Sequence, residues 1–443
     1  MTDRDTIVAL SSGAGKAGIA VIRASGPGAA SCVRHVAGGD VPPRRAALRA
    51  LRDGPAGAAV DRGLVLWLPG PGSVTGEDVA EFQVHGSPAV IGKLLSILCA
   101  LDGVRPAEPG EFTRRAFENG RMDLSGAEGL ADLIDAETEA QRVQAQRQME
   151  GVFAAHCAQW GGELRRSLAW LEAAIDFPDE ALPEDLATQV RPAVEAVAAG
   201  LADWLAAPDR GRMVREGYRI AIVGAPNVGK SSLLNRIAQR DVAIVAETAG
   251  TTRDVIEVRA DLAGYAVIFA DTAGLRDDDA AGAIEREGMA RARFQAGNAD
   301  LALHIVDASA PAVPAAAPGA DPARLLIVAN KTDLAPAPGR LPPGADFAVS
   351  ARTGTGIGRL LAEIEARVTA ATAAAEHPAL TRLRHRQCLE DAAAALTRAM
   401  EATEAELTAE DLRLALRAMD RLIGRTDVED LLDLIFRDFC IGK

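Results

Sequence analysis

A glycine-rich segment in the middle of the chain constrains its fold more than any other feature. Residues 224–232, GAPNVGKSS, stand between the apolar run YRIAIV and the helix-like run LLNRIAQ. Glycines in this G-x-x-x-x-G-K-S pattern allow backbone amides to curl around phosphate oxygens, while Lys230 reaches the outer phosphates and Ser231 offers a hydroxyl to Mg²⁺. The pattern predicts an α/β domain that binds nucleotide phosphates through Asn227, Val228, Gly229, Lys230, Ser231 and Ser232.

Three later motifs fit the same nucleotide. In VIFADTAG, Asp271 ends an apolar run and suits the Mg²⁺ shell, and the Gly274 amide can contact the γ-phosphate. In RLLIVANKTD, Asp333 can accept hydrogen bonds from N1 and N2 of guanine, a pair of donors that adenine lacks. In FAVSARTG, the backbone of Ser350 and Ala351 can contact the guanine carbonyl. The ordered set resembles the G domain of translation-factor-type GTPases and predicts guanine nucleotide binding, with further contacts from Thr272, Ala273, Asn330 and Lys331.

The residues that promote hydrolysis are less evident, because Leu275 stands where Ras-like GTPases place a water-orienting Gln. Glu285 and Glu287 in the following segment either take over that role or belong to a solvated helix face. Asn227 has two interpretations as well: an Asn that tolerates the turn, or a ligand to a monovalent cation. In the second interpretation, backbone carbonyls of residues 246–251 complete the cage, and the cation places its charge where an arginine finger acts.

The regions around this domain have different patterns. Residues 1–118 alternate strand-like and helix-like segments and predict an α+β domain. Helical periodicity dominates residues 119–210 and returns in residues 376–443, so residues 211–375 are interpreted as a GTPase domain inserted into one helical domain. The predicted fold class is therefore multidomain: an α+β N-terminal domain, an all-α helical domain and an inserted α/β P-loop GTPase domain.

Local signals divide the helical regions into segments. Ser125 with Glu128 predicts a capping box, and Thr408 predicts a helix start. The region of Pro192 is expected to interrupt the helical pattern. Cys157 lies in an apolar stripe of helical spacing, so its thiol is expected in the core.

The composition suits a soluble globular protein: 48% of the residues are hydrophobic and 25% are charged, with a net charge of −14. The acidic balance disfavours loose binding of nucleic acid but leaves room for a local basic patch. Five cysteines occur without a CxxC spacing, which argues against a disulfide framework or a zinc site. The N-terminal segment has no signal-peptide pattern and no run reaches membrane-spanning length, so we expect a cytoplasmic protein with no membrane partner.

Motifs across nearly the whole chain resemble those of one family, the MnmE (TrmE) family of tRNA modification GTPases. They are TGEDVAEFQVHG, PGEFTRRAFENGRMDL, DFPDE, GAPNVGKSSLLN, AGTTRD and FCIGK. The resemblance implies a folate-binding N-terminal domain that holds a homodimer together, and G domains that dimerise in a K⁺-dependent manner. It also implies a flavoprotein partner, MnmG, in a heterotetramer or larger assembly, with FAD present only through that partner. Such proteins add a carboxymethylaminomethyl group to C5 of the wobble uridine, U34, of certain tRNAs.

The resemblance also implies roles for individual residues. Ser231 and Thr252 match the Mg²⁺ ligands, and Glu285 matches a glutamate that helps to orient water. The K⁺ cage would consist of Asn227 with the carbonyls of Ala246, Thr248 and Thr251. A tetrahydrofolate derivative, of the 5-formyl or 5,10-methylene type, would contact Arg23, Glu81, Arg121 and Lys443, of which Arg121 replaces a lysine usual in the family.

The CIGK tail follows a helix-like segment that Phe436 and Phe439 anchor, and it contains Cys440. A nearby cation would favour the nucleophilic thiolate of this residue. In the family resemblance the tail reaches the folate pocket, where a thiolate could attack C6 of the uridine. The alternative is a tail that only plugs the folate domain.

Two other functions account for part of the sequence. A ribosome-assembly GTPase acting as a binding switch would share the G domain, but such proteins carry a second G domain or a C-terminal RNA-binding module, and this chain shows neither. A free-standing folate-dependent aminomethyltransferase would leave the complete set of GTPase motifs without a role. A GTP-hydrolysing component of a tRNA-modifying complex accounts for all of the motifs.

Overall fold

The chain divides into two compact units. The first comprises Met1–Ala131, Met149–Val194 and Ala395–Lys443, and the second comprises Asp132–Gln148 and Glu195–Ala394. The computed structural model describes residues 5–177, 184–206, 210–239, 256–271, 297–310, 321–335, 341, 343–372, 380–425, 429–437, 439 and 441–442.

The described residues form the following strands and helices, each numbered in chain order. The strands are β1 (Thr6–Leu10), β2 (Ala17–Ser25), β3 (Ala47–Arg52), β4 (Ala59–Leu68), β5 (Val79–Gly86), β6 (Val104–Pro106), β7 (Tyr218–Val223), β8 (Ile256–Leu262), β9 (Tyr265–Asp271), β10 (Leu301–Asp307), β11 (Leu325–Asn330) and β12 (Phe347–Ala348). The helices are α1 (Ala29–Ala37), α2 (Pro88–Cys99), α3 (Glu111–Glu118), α4 (Leu124–Ile134), α5 (Glu139–Met149), α6 (Val152–Asp176), α7 (Glu184–Ala206), α8 (Arg210–Glu216), α9 (Lys230–Ala238), α10 (Ile357–Thr372), α11 (Leu383–Glu401), α12 (Ala405–Ile423) and α13 (Glu429–Arg437).

The first unit contains a sheet with the strand order β3-β4-β5-β2-β1-β6. Its strand pairs are antiparallel except for β1 with β6. Alternate residues such as Ile22 and Phe82 point to one face, where they form a core with α1 and α2. On the other face Ile7 and Ala9 pack against Phe112 of α3. This arrangement confirms the predicted α+β fold of the N-terminal region.

Long helices make up the rest of the first unit. Helix α6 packs along α12, and the two are joined by ion pairs from Arg165 to Asp420 at 2.6 Å and from Arg413 to Glu172 at 2.8 Å. Helix α13 contributes side chains to a small core with α4. The predicted core position of Cys157 is confirmed, because its side chain is buried.

Two predicted helix starts are wrong. Helix α4 begins one residue before Ser125, and the cap is instead Asp123, whose Oδ1 accepts a hydrogen bond from the backbone N–H of Gly126 at 2.8 Å. Helix α12 begins after Glu404, so Thr408 lies inside the first turns and its hydroxyl donates back to the Glu404 carbonyl at 3.1 Å. In both places several polar residues compete for the cap, and sequence spacing alone does not select among them.

The expected break at Pro192 is also wrong, since α7 continues through this residue. A proline removes one backbone hydrogen bond inside a helix. Val190, Val194 and Val197 nevertheless recur on one buried face, so apolar burial keeps the segment helical. Among the described residues, no helix is both long enough and apolar enough to cross a bilayer.

The second unit contains a mostly parallel sheet with the strand order β12-β11-β10-β7-β9-β8. Only the edge pair β8 with β9 is antiparallel. The strand order reverses at β7, which has β9 on one side and β10 on the other. Such a reversal opens a crevice at the carboxyl ends of the strands, where ligands of α/β sheets bind. The α/β fold predicted from the glycine-rich segment is therefore confirmed.

Asp132 of α4 contacts the segments that precede and follow the parallel sheet in the chain. Asp132 Oδ1 accepts hydrogen bonds from Arg215, just before β7, at 2.9 Å and from Arg382, just before α11, at 2.8 Å. Nearby, the backbone N–H of Ala140 in α5 donates to the carbonyl of Gly264 in the β8–β9 turn at 3.0 Å. Residues of α4 and α5 thus contact the segment before β7, the β8–β9 hairpin and the segment before α11.

Candidate functional site

The loop after β7 has the backbone that a phosphate cradle requires. Gly224 has φ +150° and Gly229 has φ +92°, conformations that favour glycine. A Cβ on Gly224 would collide with the carbonyl of Ile305, and one on Gly229 would collide with the side chain of Asn330. Asn227 has φ +61°, so this residue does sit in a left-handed turn, which is one of its two interpretations.

Lys230 is the first residue of α9 and lies inside this loop. Its side chain is buried, and Nζ donates to the carbonyls of Gly224 at 3.0 Å and Ala225 at 2.9 Å. Ser231 and Ser232 follow in the exposed first turn of the helix. The free amides and the positive dipole of a helix N-terminus attract anions, so the loop combines an ammonium group with oriented N–H donors.

Asn330 joins two segments of the predicted nucleotide site. One is the phosphate loop, residues 224–229, and the other is the turn of residues 350–355 after β12, called the base-reading turn. The Asn330 side chain is 1% exposed. The Nδ2 atom donates to the Val228 carbonyl at 2.9 Å, and Oδ1 accepts from the backbone N–H of Ala351 at 3.0 Å. A single buried amide therefore fixes the distance between the two halves of the predicted site.

Asp333 is held as an ionised carboxylate. The Ser350 hydroxyl donates to its Oδ1 at 2.6 Å, and Arg352 Nε lies 3.0 Å from its Oδ2. The hydrogen bond from Ser350 is the main cause that lowers the pKa of Asp333, and the charge of Arg352 adds to it. Ionisation is what a carboxylate needs to accept both donors of a guanine edge. The sequence motif indicates only a backbone contact for Ser350 and does not reveal the hydrogen bond from its hydroxyl to Asp333.

Lys331 lies across the ends of β10 and β11. It has φ +64°, and its Nζ donates to Asp307 Oδ2 at 2.8 Å. Burial opposes the ionisation of Asp307, but hydrogen bonds from Lys331 and Ser309 prevail and lower its pKa. The ion pair connects the segment that carries Lys331 and Asp333 to the end of β10.

Most of the predicted nucleotide contacts lie together at the carboxyl edge of the sheet. The loop after β7, the end of β11 and the turn after β12 are joined there by the Asn330 bonds. Asp271 ends β9 at the same edge, but its side chain lies outside the described part of the chain. The remaining assignments fall on residues that the structure does not describe and stay predictions: Ala246, Thr248, Thr251, Thr252, Thr272, Ala273, Gly274, Glu285, Cys440 and Lys443.

Arg23 and Glu81, which were predicted to contact folate, face each other on neighbouring strands of the first unit. Arg23 Nε and Nη2 lie 3.0 and 2.9 Å from Glu81 Oε1, and the guanidinium lies 5.7 Å from the ring centroid of Phe112. Arg121 is exposed, and its stem lies so close to Gly76 that a Cβ there would be 3.3 Å from Arg121 Cγ. No hydrogen bond within the described residues joins Arg121 to the other pair.

The C-terminal tail docks against the same sheet. Ile441 forms a bridge with Pro109, and the Ser11 hydroxyl donates to the Gly442 carbonyl at 2.7 Å. Beside this contact lies a cavity of about 450 Å³, lined by β1, α2 and Ile441. Ala9, which also lines the cavity, is the β-sheet partner of Arg23. Ile441 of the tail therefore helps to line a cavity beside β1, whose neighbour β2 carries the predicted folate contact Arg23.

Arg236 contacts the nucleotide site although no motif points to it. It lies near the end of α9, where its Nε donates to the Ala351 carbonyl at 2.9 Å and its Nη2 donates to the carbonyl of Arg352. In the sequence it is an ordinary polar position of an amphipathic helix. No local signal distinguishes it, because its partners lie more than a hundred residues away in the chain.

Two family models match the chain. The model described as GTP-binding protein TrmE N-terminus matches residues 6–121, and the model described as MnmE helical domain matches residues 124–440. The second match spans the parallel sheet as well as the helices on either side of it.

Similar proteins match the chain from end to end. A tRNA modification GTPase MnmE of Parvibaculum lavamentivorans is 54% identical over 99% of this chain and 100% of its own length. Proteins of the same description from Phenylobacterium zucineum and Rhodospirillum rubrum are 50% and 49% identical, over 99% of this chain and 100% and 99% of their own lengths. A solved structure, Aquifex aeolicus Era bound to GDP·AlF4⁻, matches 42% of this chain and 68% of its own at 24% identity, with a TM-score of 0.27.

Proposed function

Because this chain belongs to the MnmE family of tRNA modification GTPases, we propose that it is the GTP-hydrolysing component of a complex that adds a carboxymethylaminomethyl group to C5 of the wobble uridine of certain tRNAs. The observation that carries the proposal is the 54% identity to such a GTPase along the full length of both chains. The site geometry supports the GTPase part independently, since Asp333 is ionised and aligned beside a phosphate loop.

The residues of the phosphate loop fit a bound Mg²⁺–GTP. Lys230 already points its ammonium into the loop, and Gly224 and Gly229 allow the close approach of the loop to Ile305 and Asn330. Ser231, with Thr252, would hold the Mg²⁺ ion, which neutralises charge on the β- and γ-phosphates when bound. Asp333 would accept from the N1 and N2 donors of guanine, a pair of donors that adenine does not offer.

We infer that hydrolysis depends on K⁺ and on pairing of two G domains. Leu275 has an apolar side chain that cannot polarise water, so the charge must come from elsewhere. Asn227 lies in the phosphate loop with an exposed side chain, where its oxygen can serve as a cation ligand. In this proposal the carbonyls of Ala246, Thr248 and Thr251 complete the cage, and Glu285 helps to orient the attacking water.

The test of the K⁺ proposal is a comparison of GTP hydrolysis in K⁺ and in Na⁺. We expect hydrolysis to fall about tenfold or more in Na⁺, because a charge at the transition state is lost, while nucleotide affinity stays nearly unchanged. Asn227→Ala should have the same effect in K⁺. Asn235→Ala, an equivalent change on the exposed face of α9, should not. Equal rates in both ions would remove the cation from the mechanism.

The first unit is proposed to bind a tetrahydrofolate derivative, to form the homodimer contact and to cooperate with the flavoprotein MnmG, which supplies FAD. The Arg23–Glu81 pair supports folate binding, because it offers a donor fork and a carboxylate that match the polar edges and acidic tail of such a molecule. The cavity of about 450 Å³ beside the tail is lined by Ala9 but by neither Arg23 nor Glu81, and it lies in the size range of small-molecule pockets. Cys440 and Lys443 flank the two tail residues that dock beside it, either as chemical groups or as part of a plug.

The alternative function, a ribosome-assembly switch, differs in the RNA that it affects. Mass spectrometry of tRNA nucleosides from a strain without the gene should show wobble uridines that lack the carboxymethylaminomethyl group. Unchanged tRNA together with defective ribosomal subunits would favour the alternative.

A further inference from the structure

The base-reading turn, residues 350–355, has hydrogen bonds within itself and further hydrogen bonds to α9. The backbone N–H of Ser350 donates to the Thr355 carbonyl at 2.9 Å, and that of Gly354 donates to the Ser350 carbonyl at 2.8 Å. These bonds make the loop a compact turn. The carbonyls of Ala351 and Arg352 point away from it, toward α9.

Both of those carbonyls are held by one guanidinium. Arg236 Nε donates to the Ala351 carbonyl at 2.9 Å, and Nη2 donates to that of Arg352. Because the N–H groups of a guanidinium form a rigid planar fork, two bonds from the same group fix both the position and the orientation of the turn. The same turn carries the Ala351 N–H and the Ser350 hydroxyl that holds Asp333.

We propose that Arg236 is a positioning residue for guanine recognition, a role that rests on the proposed binding of GTP. Its backbone belongs to α9, the helix whose N-terminus follows the phosphate loop, and its guanidinium contacts the base-reading turn. It therefore fixes the base-reading groups relative to the phosphate loop without contacting the nucleotide. Asn330 makes a link between the same two loops from the buried side, so the turn is held on two sides.

This role differs from simple support of α9. A residue that only stabilised the phosphate helix would affect every nucleotide that uses the cradle. A residue that positions the base-reading turn affects guanine nucleotides selectively, because adenine gains nothing from Asp333. Lysine offers a single ammonium and not a fork, so it should hold one carbonyl and restore part of the effect.

The experiment compares GDP and ADP affinities of the full chain by competition with a fluorescent guanine nucleotide. We expect Arg236→Met to weaken GDP about tenfold, since two charge-assisted bonds are lost, and to leave ADP unchanged. Arg236→Lys should weaken GDP binding by less than Arg236→Met does. Arg359→Met, an exposed arginine on α10 just beyond the same loop, should match the wild type.

Equal weakening of GDP and ADP in both Arg236 variants would overturn the proposal and make Arg236 a support of the phosphate helix. Unchanged GDP affinity in both would overturn it as well. The lysine variant keeps the charge, so it provides the answer if the methionine variant fails to fold. Failure of the proposed function would appear separately, as a wild-type chain that does not prefer GDP to ADP.

Discussion

At the scale of single residues, the guanine site depends on protonation states that the surrounding groups enforce. Asp333 must be charged to accept from guanine, and the Ser350 hydroxyl with Arg352 keeps its pKa below the ordinary value of 3.8. Its charge is therefore constant near neutral pH. We attribute guanine selectivity to this fixed charge together with the turn that Arg236 holds.

Another buried group predicts a pH dependence of stability. His304 lies in the interior of β10, and burial lowers its pKa from the ordinary value of 6.5. Its Nδ1 is buried and has no hydrogen-bond partner among the described residues. The unfolded chain therefore takes up a proton at a higher pH than the folded one, so stability is present above about pH 6.5 and is lost as the pH falls below it.

Urea unfolding between pH 7.5 and 5.5 tests this expectation. In the wild type the free energy of unfolding of the second unit should fall with pH, by at most about 1.4 kcal/mol per pH unit from this one group. In His304→Leu that contribution should vanish, because leucine cannot take up a proton. The same slope in both proteins would contradict the assignment to His304.

At the scale of elements, the docked tail gives a prediction about the first unit. Gly442 has φ +98°, and a Cβ there would collide with the Leu10 carbonyl oxygen. Gly442→Ala should therefore lift the tail from β1. We expect tRNA modification in cells to fall while GTP hydrolysis by the purified protein stays unchanged, because the tail lines the N-terminal cavity and the predicted nucleotide site belongs to the other unit.

Gly103→Ala is the matched control for this change. Gly103 also has a left-handed backbone, with φ +70°, but a Cβ there meets nothing within 4 Å. The two variants therefore share a backbone cost of about 1–2 kcal/mol and differ in the collision with β1. Equal loss of modification in both would show that backbone strain, and not the position of the tail, was responsible.

Elements with a strong local pattern could be predicted from the sequence. The run before Gly224 is apolar except for Arg219, because the rest of β7 is buried, and the motif that follows leaves few alternatives. Strand β3 has no such pattern, since it lies at the sheet edge and only Leu51 in it is buried. Helix α7 was divided at Pro192 because the sequence shows the missing N–H but not the packing that outweighs it.

Contacts between distant parts of the chain could not be predicted in the same way. The motifs indicated Asn330, Asp333 and Ala351 one by one, but not the bonds that connect them. Arg236 is separated from Ala351 by 115 positions, and no motif in its own segment singles out Arg236. The tail contact between Ser11 and Gly442 has the same character. Such pairs are determined by the fold as a whole.

At the scale of the whole molecule, the two units hold different chemistry. The second unit contains the described residues that are proposed to contact guanine, and the first contains the Arg23–Glu81 pair and the docked tail. The similarity to tRNA modification GTPases extends over both units. The central claim is that GTP use by this chain is required to modify tRNA.

Mass spectrometry of wobble uridine, in a strain without the gene that carries either the wild-type chain or Asp333→Asn, tests this claim most directly. Asp333→Asn should lose GTP in favour of xanthosine triphosphate, because an amide can donate to the oxygen that replaces the guanine N2 amine. Cells contain GTP as the usable nucleotide, so we expect the wild type to restore the modification and Asp333→Asn to leave the uridine unmodified. Full modification with Asp333→Asn, present at wild-type levels and shown to have lost GTP binding, would contradict the account.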